Sequence, residues 1–510
     1  MKLNELIAGE NIYRWQKDVE WDKEIRSVMA DSRKVETGDV FIALKGEYHD
    51  GHHYTAQALQ RGACALILEN EAYCLEGEPW ILVKDTHELF GIMEQNLAGR
   101  PSLRMNVIGV TGTNGKTTVT HMLAGILEEA GMKVGLLGTI GNRIGGRMLG
   151  TELTTQGSAE LAELFRQMAE EETDYAIMEV SSHALALSRT AGIEFDMAVF
   201  TNLTQDHLDF HQNMGEYLNA KSKLFSGLKP QGEKDRKKAA IINLDDQAGA
   251  TLADYCRVPV ITYGLGSLCH LRAEDVALSP AGIGYRLVYG SETYEIKLRL
   301  HGRFNVYNSM AAIAAALVEG VSMPVISRAL YRMPPVPGRF QQVADPGEKL
   351  PFQIFVDYSH TPDSLENCIS TAREICRGRV ISVFGAGGHR DAAKRPLMGE
   401  IAARLSDVAI VTSDNPRDEE PMAIIGDILK GMGGLTAKAS VMTEPERGKA
   451  IALAVSLAQP GDMVLICGKG HEDYQIIGDT KYPFDDYEEA QKSMDAIANR
   501  GGQDICRTMG

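Results

Sequence analysis

The residues best suited to chemistry lie in the segment Gly109–Thr118, which reads Gly-Val-Thr-Gly-Thr-Asn-Gly-Lys-Thr-Thr. A short apolar run at 105–109 precedes it, and residues 119–130 follow with apolar side chains at helical spacing. A strand, a glycine-rich turn and a helix start form an anion site, because backbone N–H groups and the helix N-terminus face the ligand. The segment therefore predicts a nucleotide phosphate loop, with Lys116 on the outer phosphates and Thr117 on Mg²⁺.

The phosphate loop departs from the usual spacing at one position. Val110 stands five residues before Gly115, where such loops usually carry glycine. The flanking strand and helix patterns still favour a nucleotide site over a chance loop. The expected ATP contacts are Gly112, Thr113, Asn114, Gly115, Lys116, Thr117 and Thr118.

Polar residues also follow the next predicted strands. One strand ends at Glu179, and another, 196–201, runs into a polar segment that contains His207. Ligands of open parallel sheets bind at the carboxyl ends of the strands, so these side chains are expected beside the phosphates. A carboxylate and an imidazole there would join Thr117 around Mg²⁺, which favours sparse, oxygen-rich ligand sets.

The composition is that of a globular protein with several domains. The chain has 510 residues, of which 44% are apolar and 24% charged, and about three domains are expected for this length. The net charge of −17 disfavours non-specific binding to nucleic acid. No apolar run approaches the ~20 residues of a membrane span, no signal peptide is recognised, and the eight scattered cysteines suit a reducing cytosol.

The elements that must position these residues alternate between strand and helix, which predicts an α/β protein with a central doubly wound parallel sheet. Turn-rich segments at 98–102 and 333–338 divide the chain into an N-terminal domain (1–100), a central domain (101–338) and a C-terminal Rossmann-like domain (339–510). The strand candidates are 105–110, 174–180, 196–201, 239–244, 258–263, 352–357, 379–384, 407–412 and 462–467. Gly290-Ser291 between alternating segments predicts a hairpin and a small antiparallel sheet attached to the central block.

Six motifs in a fixed order resemble the Mur ligases, and together they span residues ~30 to ~485. They are the phosphate loop, Met-Glu-Val-Ser-Ser-His, Thr-Asn-Leu-Thr-Gln-Asp-His-Leu-Asp-Phe-His, His-Gly-Arg-Phe-Asn-Val-Tyr-Asn, Pro-Gly-Arg and Asp-Tyr-Ser-His-Thr-Pro. The resemblance implies an ATP- and Mg²⁺-dependent amide ligase of cytoplasmic peptidoglycan synthesis. Within the family, the chain is most similar to the type that adds the third stem-peptide residue to UDP-N-acetylmuramoyl-L-alanyl-D-glutamate. A monomer without nucleic-acid or membrane partners is expected.

The resemblance also implies which amino acid is added. The motif Asp414-Asn415-Pro416-Arg417 is similar to that of ligases that add meso-diaminopimelate, whereas lysine-adding relatives lack the arginine. Arg417 can form a two-pronged pair with the distal carboxylate, Arg390 can hold a second carboxylate, and Glu472 can accept from the distal ammonium. Gly468 belongs to the same expected site. Such a site rejects a ligand without the matching carboxylate by up to ~10⁴-fold.

Further roles are implied by the resemblance alone. Lys221 matches the family's carbamylated lysine, a metal ligand that forms only if burial depresses the pKa of the amine. His360 is a candidate to assist the attacking amine. Asn305, Arg339 and Asp357 match ATP contacts. The sugar-peptide contacts are Ser32, Thr154, Thr155, Ser181 and Arg189.

Three positions depart from the family pattern. Leu187 replaces a polar residue that contacts the substrate in many relatives, which puts that contact in doubt. Gln156 replaces a proline, which predicts a looser loop, and His389 replaces a frequent aspartate, which predicts a change at the amino-acid site. The alternatives are a ligase that adds lysine or another amino acid, a P-loop switch or motor NTPase, and a catalytically silent binding protein.

Overall fold

The computed structural model describes residues 1–7, 12–46, 49–207, 210–279, 281–345, 350–433 and 438–508, with side chains as far as residue 497. Within these ranges the strands form three large sheets and one hairpin, and each large sheet falls within one of the three predicted domains. The protein is a mixed α/β chain in which parallel pairings dominate.

The N-terminal part is a five-stranded sheet in the order β1-β5-β4-β3-β2, with β1 antiparallel to β5 and the other pairings parallel. Its strands supply a small core of their own. The elements are α1 (Leu3–Leu6), β1 (Ile12–Trp15), β2 (Val28–Met29), β3 (Val40–Ile42), α2 (Thr55–Gln60), β4 (Ala65–Leu68), β5 (Trp80–Val83) and α3 (Thr86–Leu97).

The central part is an eleven-stranded sheet in the order β16-β15-β14-β13-β12-β11-β6-β10-β7-β8-β9. The elements are β6 (Asn106–Thr111), α4 (Lys116–Glu129), β7 (Val134–Gly138), β8 (Gly141–Ile144), β9 (Arg147–Leu149), α5 (Ser158–Glu170), β10 (Tyr175–Glu179), α6 (Ser182–Ala186), β11 (Met197–Phe200), α7 (Met214–Ser226), β12 (Ala239–Asn243), α8 (Gln247–Tyr255), β13 (Val260–Gly264), β14 (Leu271–Ser279), β15 (Gly282–Tyr289), β16 (Glu292–Leu298), α9 (Phe304–Val318) and α10 (Met323–Arg332).

The five strands predicted for the central block are confirmed, as is the hairpin of β15 and β16. The antiparallel sheet is not a separate attachment, because β14 pairs in parallel with β13 and continues the central sheet. At the other edge, β7 pairs in parallel with β10, and β8 and β9 continue the sheet from β7 in antiparallel fashion. None of these three strands was predicted from the sequence.

The C-terminal part is a six-stranded sheet in the order β17-β18-β22-β19-β20-β21, parallel except for β17, followed by the β23–β24 hairpin. The four predicted strands are β18, β19, β20 and β22 and are confirmed. The elements are β17 (Gln341–Gln342), β18 (Gln353–Asp357), α11 (Pro362–Ile375), β19 (Val380–Phe384), α12 (Lys394–Leu405), β20 (Val408–Val411), α13 (Pro421–Leu429), β21 (Ser440–Thr443), α14 (Arg447–Leu457), β22 (Met463–Cys467), β23 (Tyr474–Ile477), β24 (Thr480–Pro483) and α15 (Asp486–Thr508).

Candidate functional site

The carboxyl ends of three neighbouring strands define the phosphate edge of the central sheet. β6 lies between β10 and β11, so the chain leaves β6 at the point where the strand order reverses. This is where open parallel sheets bind ligands. The loop after β6, Glu179 at the end of β10 and the polar segment after β11 therefore meet at one place.

The phosphate loop is held from the side by the segment after β11. Asn202 accepts a hydrogen bond from the N–H of Thr113 at its backbone oxygen (2.8 Å) and from the N–H of Asn114 at Oδ1 (2.9 Å). The Nζ of Lys116 lies 2.9 Å from the carbonyl oxygen of Gly112 and 2.8 Å from that of Thr113. The loop thus keeps its ammonium group at the phosphate edge, at the N-terminus of α4.

Gly112 provides a stability prediction. Its φ is +148°, and a Cβ there would lie 1.9 Å from Oγ1 of Thr201. We expect Gly112→Ala to lower the free energy of unfolding by at least ~2 kcal/mol and to abolish nucleotide binding, because strain and overlap both act on the loop. Gly125→Ala is the matched control, because Gly125 lies within α4 and a Cβ at this position meets nothing within 4 Å. Urea unfolding and nucleotide titration would measure both variants, and wild-type behaviour of Gly112→Ala would contradict this account.

Glu179 connects the phosphate loop to the strand β7. The buried Glu179 carboxylate accepts hydrogen bonds from Thr117 Oγ1 (3.0 Å), from the N–H of Thr139 (2.9 Å) and from Thr139 Oγ1 (3.0 Å). Thr139 Oγ1 also lies 3.1 Å from Thr154 Oγ1, from which it can accept a hydrogen bond. Thr139 therefore lies between the expected metal ligand and an expected sugar-peptide residue.

His207 is held in the left-handed backbone region, with φ +55°. Its Nε2 lies 3.3 Å from Oδ2 of Asp206, and its ring packs edge-on against His183 with 4.8 Å between centroids. Burial lowers the pKa of His207 to about 4, an effect that Asp206 opposes and His183 reinforces. The imidazole is therefore neutral near pH 7, the form that binds a metal. The next two residues of the motif, 208 and 209, lie outside the described part of the chain.

Lys221 is a buried amine on α7, only 1% exposed. Its Nζ lies 3.0 Å from the carbonyl oxygen of Gly112 and 4.3 Å from the ring centroid of Tyr217. Burial, and then the positive charge of Lys116, lower the pKa of Lys221 well below its ordinary value. The amine thus lies beside the phosphate loop, where the neutral, nucleophilic form is favoured.

The C-terminal domain contacts this edge directly. The guanidinium of Arg339 donates to Thr117 Oγ1 over 2.9 Å and stacks 4.7 Å from the ring centroid of Tyr358. Asp363, in the first turn of α11, accepts hydrogen bonds from Asn114 Nδ2 (2.8 Å) and Thr204 Oγ1 (3.1 Å). Two domains are therefore joined by side chains at the phosphate loop itself.

His360 lies on the C-terminal side of the same space. Its Nδ1 is 2.8 Å from the carbonyl oxygen of Tyr358, so Nδ1 carries the proton and Nε2 is the acceptor. Burial, and then the charge of Lys394, lower the pKa of His360. The ring is thus a neutral base at physiological pH.

The amino-acid motifs converge at the ends of β20 and β22. Asn415 Nδ2 donates to Glu472 Oε2 over 2.9 Å, and the Nζ of Lys469 lies 2.9 Å from the same oxygen. Arg417 Nη1 donates to the carbonyl oxygen of Gly388 over 2.6 Å. Arg390 is exposed on the loop that carries Gly388. A carboxylate and two guanidinium groups thus face one space.

That space is a cleft of about 680 Å³ between the central and C-terminal domains. It brings together most of the predicted catalytic, sugar-peptide and amino-acid residues. The predicted residues that line it are Lys116, Thr154, Thr155, Ser181, Arg189, His207, His360, Arg390, Asp414, Asn415, Arg417, Gly468 and Glu472.

Several predicted residues lie outside the cleft lining. Ser32 is in the N-terminal domain, where its Oγ donates to Gln57 over 2.6 Å. Asn305 is buried on α9 and donates to the carbonyl oxygen of His301 over 2.7 Å. Asp357 ends β18 and accepts hydrogen bonds from the N–H groups of Phe340 (2.6 Å) and Ser359 (2.8 Å). The other predicted residues that do not line the cleft are Gly112, Thr113, Asn114, Gly115, Thr117, Thr118, Glu179, Lys221, Arg339 and Pro416.

The side chain of Gln156 is buried, and its Nε2 lies within hydrogen-bond distance of Thr151 Oγ1 (2.7 Å), the carbonyl oxygen of Leu153 (3.1 Å) and Asn142 Oδ1 (3.2 Å), while its Oε1 has no partner among the described residues. These contacts do not support the predicted looser loop. The predicted influence of His389 on the amino-acid site finds no support, because the exposed ring faces Asp418, with 3.7 Å between Nε2 and Oδ2. Leu187 is the C-cap residue of α6.

The sequence analysis missed six residues of this region. Thr139 follows the unpredicted strand β7, and Asp206 directly precedes His207. Lys469 and His471 lie between Gly468 and Glu472, which were assigned to the amino-acid site, but they were not assigned a role themselves. The six are Thr139, Asp206, Asp363, Lys394, Lys469 and His471.

The described residues contain neither a cluster of typical metal ligands nor a helix suited to a membrane. No group of three or more His, Cys, Asp or Glu side chains is arranged there to hold a metal ion. In the same ranges, no helix combines the length and apolar character that crossing a membrane requires.

Three family profiles match the chain in succession. "Mur ligase family, catalytic domain" matches residues 24–95, "Mur ligase middle domain" matches 110–316, and "Mur ligase, glutamate ligase domain" matches 338–470. Together they span the phosphate edge and both walls of the cleft.

Curated relatives match over nearly the full length. The UDP-N-acetylmuramoyl-L-alanyl-D-glutamate–2,6-diaminopimelate ligase of Clostridium botulinum is 42% identical over 478 residues, which cover 93% of this chain and 96% of that protein. The ligase of the same name from Syntrophomonas wolfei is 44% identical over 486 residues, covering 95% and 97%.

Solved structures agree with this fold. A ligase of the same name superposes with a TM-score of 0.68 at 31% identity, covering 97% of this chain and 99% of that chain. The MurF ligase of Thermotoga maritima in complex with ADP has a TM-score of 0.60 at 18% identity, covering 93% and 98%. The chain belongs to the Mur ligase family.

Proposed function

We propose that this protein is the ATP-dependent ligase that joins meso-diaminopimelate to UDP-N-acetylmuramoyl-L-alanyl-D-glutamate in peptidoglycan precursor synthesis. The observation that carries the proposal is the shared cleft, which Lys116 and His207 enter from the central domain and Arg417 and Glu472 from the C-terminal domain. An enzyme that only hydrolyses a nucleotide has no use for a second set of charged residues across the cleft, such as Arg417 and Glu472. Full-length relatives named for this reaction support the substrate assignment.

The first step is phosphoryl transfer. The γ-phosphoryl group of ATP moves to the free carboxylate of the D-glutamate residue, which yields ADP and an acyl phosphate. Lys116 and Arg339 would bind the phosphates, and a buried Arg339 Nε without a partner among the described residues supports this. Asn305 and Asp357 are proposed to hold the base and the ribose.

The side-chain oxygens at the phosphate edge suit Mg²⁺ as ligands. Thr117 Oγ1 and Glu179 Oε2 are buried oxygens 3.0 Å apart, and a Cβ on Gly138 would lie 2.2 Å from Glu179 Oε1, so a glycine keeps space beside the carboxylate. We propose that Thr117, Glu179, His207 and carbamylated Lys221 hold the ion. When bound, it would offset negative charge on the transferring phosphoryl group.

Lys221 is proposed to be carbamylated. The neutral amine attacks CO₂, which forms an N–C bond, and one proton is released to water, so the neutral side chain becomes an anionic oxygen ligand. The buried setting of Lys221 favours the neutral amine, and its contact with Gly112 places the product beside the phosphate loop. This step needs no other protein group as a reagent.

A carbamate at Lys221 has a spectroscopic consequence. We expect the protein equilibrated with ¹³C-bicarbonate to show one carbamate carbon resonance that Lys221→Met removes. Ligase turnover of that variant should fall at least ~10²-fold, because a metal ligand is lost. Lys223→Met, two residues along the same helix, is the control and should keep the resonance. A resonance that persists in Lys221→Met would assign the carbamate elsewhere.

The second step is acyl substitution. The neutral amine of diaminopimelate attacks the acyl carbon, the C–N bond forms, and inorganic phosphate leaves. The proton released by the amine needs a base, and Nε2 of His360 is the candidate, because its Nδ1 is committed to the carbonyl oxygen of Tyr358. Its lowered pKa keeps His360 able to accept a proton at neutral pH.

The amino acid is proposed to be selected at its distal end. Arg417 would pair with the distal carboxylate and Glu472 with the distal ammonium, while Arg390 would hold the second carboxylate. The backbone around Gly468 and the side chains of Asp414 and Asn415 would complete the pocket. Pro416 would fix the backbone before Arg417.

The sugar-peptide is proposed to extend from the cleft toward the N-terminal domain. Thr155 accepts at Oγ1 from the N–H of Ser181 (3.0 Å), and its carbonyl oxygen accepts from Arg189 (3.1 Å), so these residues form one ordered wall. Thr154 continues that wall, and Ser32 would contact the uridine end. Because the substrates bind to different domains, we propose closure about 333–338, a segment without helix or strand at 333–336. A cytoplasmic monomer is the proposed state.

An amine panel tests the function. Purified protein, ATP, Mg²⁺ and the UDP-dipeptide would be supplied in turn with diaminopimelate, L-lysine, L-ornithine and no amine. We expect phosphate release coupled to a new UDP-tripeptide with meso-diaminopimelate only. Preferred use of lysine would refute the specificity, and steady ATP hydrolysis without product would refute the ligase assignment.

A further inference from the structure

Lys469 is a buried cation for which the proposed mechanism has no role. It lies between two residues of the amino-acid site, Gly468 and Glu472, and its side chain is fully buried. A buried ammonium group is costly unless it is paired and hydrogen-bonded. The partners of Lys469 therefore indicate what the charge is for.

Those partners are themselves the residues that would read the ligand. The Nζ of Lys469 lies 2.9 Å from Glu472 Oε2 and 3.1 Å from Asn415 Oδ1. Asn415 Nδ2 donates to the same Glu472 oxygen over 2.9 Å, and the N–H of Ile476 donates to Asn415 Oδ1 over 2.9 Å. Glu472 Oε2 is thus engaged twice, whereas Oε1 accepts no hydrogen bond from the residues that the structure describes.

The same cation changes the charge balance of the amino-acid site. Lys469 places one positive charge 2.9 Å from Glu472 Oε2 and offsets the negative charge of that carboxylate, while the guanidinium groups of Arg390 and Arg417 line the same cleft. The distal end of diaminopimelate carries a carboxylate beside its ammonium, whereas that of lysine carries the ammonium alone. Without Lys469, the carboxylate of Glu472 would attract the lysine ammonium without opposition.

We propose that Lys469 is a positioning residue that sets specificity: it fixes Glu472 so that one oxygen faces the distal ammonium, and it supplies the charge that disfavours lysine. The inference rests on the proposed function. It acts through Glu472 and Asn415 and assigns Lys469 no contact with the reacting atoms.

The test is the steady-state kinetics of Lys469→Met with diaminopimelate and with lysine. We expect the KM for diaminopimelate to rise about tenfold, kcat to change by less than about threefold, and the KM for ATP to stay the same. The ratio of kcat/KM for diaminopimelate over lysine should fall about tenfold. An equal fall in kcat/KM for diaminopimelate and for lysine would overturn the proposal, as would a rise in the KM for ATP.

A double-mutant cycle separates positioning from general damage. If Lys469 acts through Glu472, Lys469→Met should add less than about twofold to the KM in a Glu472→Gln background. Additive effects would overturn the inference. Lys492→Met, an exposed lysine on α15, is the matched control.

If Lys469→Met does not fold, Lys469→Gln keeps a donor, removes the charge and takes its place; failure of both to fold would assign Lys469 to the fold and overturn the proposal. If wild-type protein does not use diaminopimelate, the proposed function fails. If wild-type protein uses it and Lys469→Met keeps the wild-type ratio, only this inference fails.

Discussion

Lys116→Met should lose at least ~10³-fold in ligase turnover, about 4 kcal/mol of transition-state stabilisation, while the protein stays folded. The ammonium group lies at the N-terminus of α4, within 3 Å of two loop carbonyl oxygens, and it lines the cleft. During transfer, the negative charge of the phosphoryl group is spread over its three equatorial oxygens. A fixed cation beside these oxygens therefore stabilises mainly the transition state. Methionine keeps the length and apolar stem and removes only the charge.

The measurement is phosphate release under saturating substrates, with nucleotide affinity determined separately. Lys133→Met is the matched control, because this exposed lysine follows the same helix and pairs with Glu172 on the surface. The control should keep wild-type turnover. A Lys116→Met enzyme within tenfold of wild type would show that phosphoryl transfer occurs elsewhere.

Arg417→Ala should lose up to ~10⁴-fold in kcat/KM for meso-diaminopimelate and keep its affinity for ATP. The guanidinium lies at the cleft, 2.6 Å from the carbonyl oxygen of Gly388, and the phosphate loop, which supplies most of the proposed nucleotide contacts, lies on the central domain. The backbone of Arg417, with φ +54°, is fixed by hydrogen bonds with Ile476 (3.1 Å) and Gly478 (2.9 Å), so alanine removes the side chain from a fixed position.

A second substitution separates charge from shape. Arg417→Lys keeps the positive charge but loses the planar two-pronged donor, so we expect an intermediate loss. Arg377→Ala, at an exposed position in the same domain, is the control for general effects of losing an arginine. The specificity assignment would not survive a wild-type preference for diaminopimelate in Arg417→Ala.

The local sequence predicted the parts of the fold that repeat a short pattern. The strands β6, β10, β11, β12 and β13 are mostly apolar, as buried parallel strands are, with polar residues mainly at their ends, and the helix after the phosphate loop follows its 3.6-residue period. β8 and β9 were not predicted, since short antiparallel strands at a sheet edge carry weak patterns. β7 was not predicted either, although it is a buried strand that pairs in parallel with β10. The junction between β13 and β14 could not be predicted either, because pairing across a sheet depends on partners distant in sequence.

The amino-acid sequence by itself determined the chemical groups of the site. The phosphate loop and Glu179 at a strand end are local patterns, so their residue types and positions suffice to predict phosphate and metal chemistry. The motif around Arg417 is also local, but its carboxylate chemistry was predicted only through the resemblance to the Mur ligases.

Only the tertiary structure decided how these groups act together. Burial of Lys221, the engagement of Glu472 by Lys469 and the contact of Asp363 with the phosphate loop join residues from separate elements. Exposure, pKa and hydrogen-bond partners depend on what packs around a side chain, and residues far apart in the chain supply that packing.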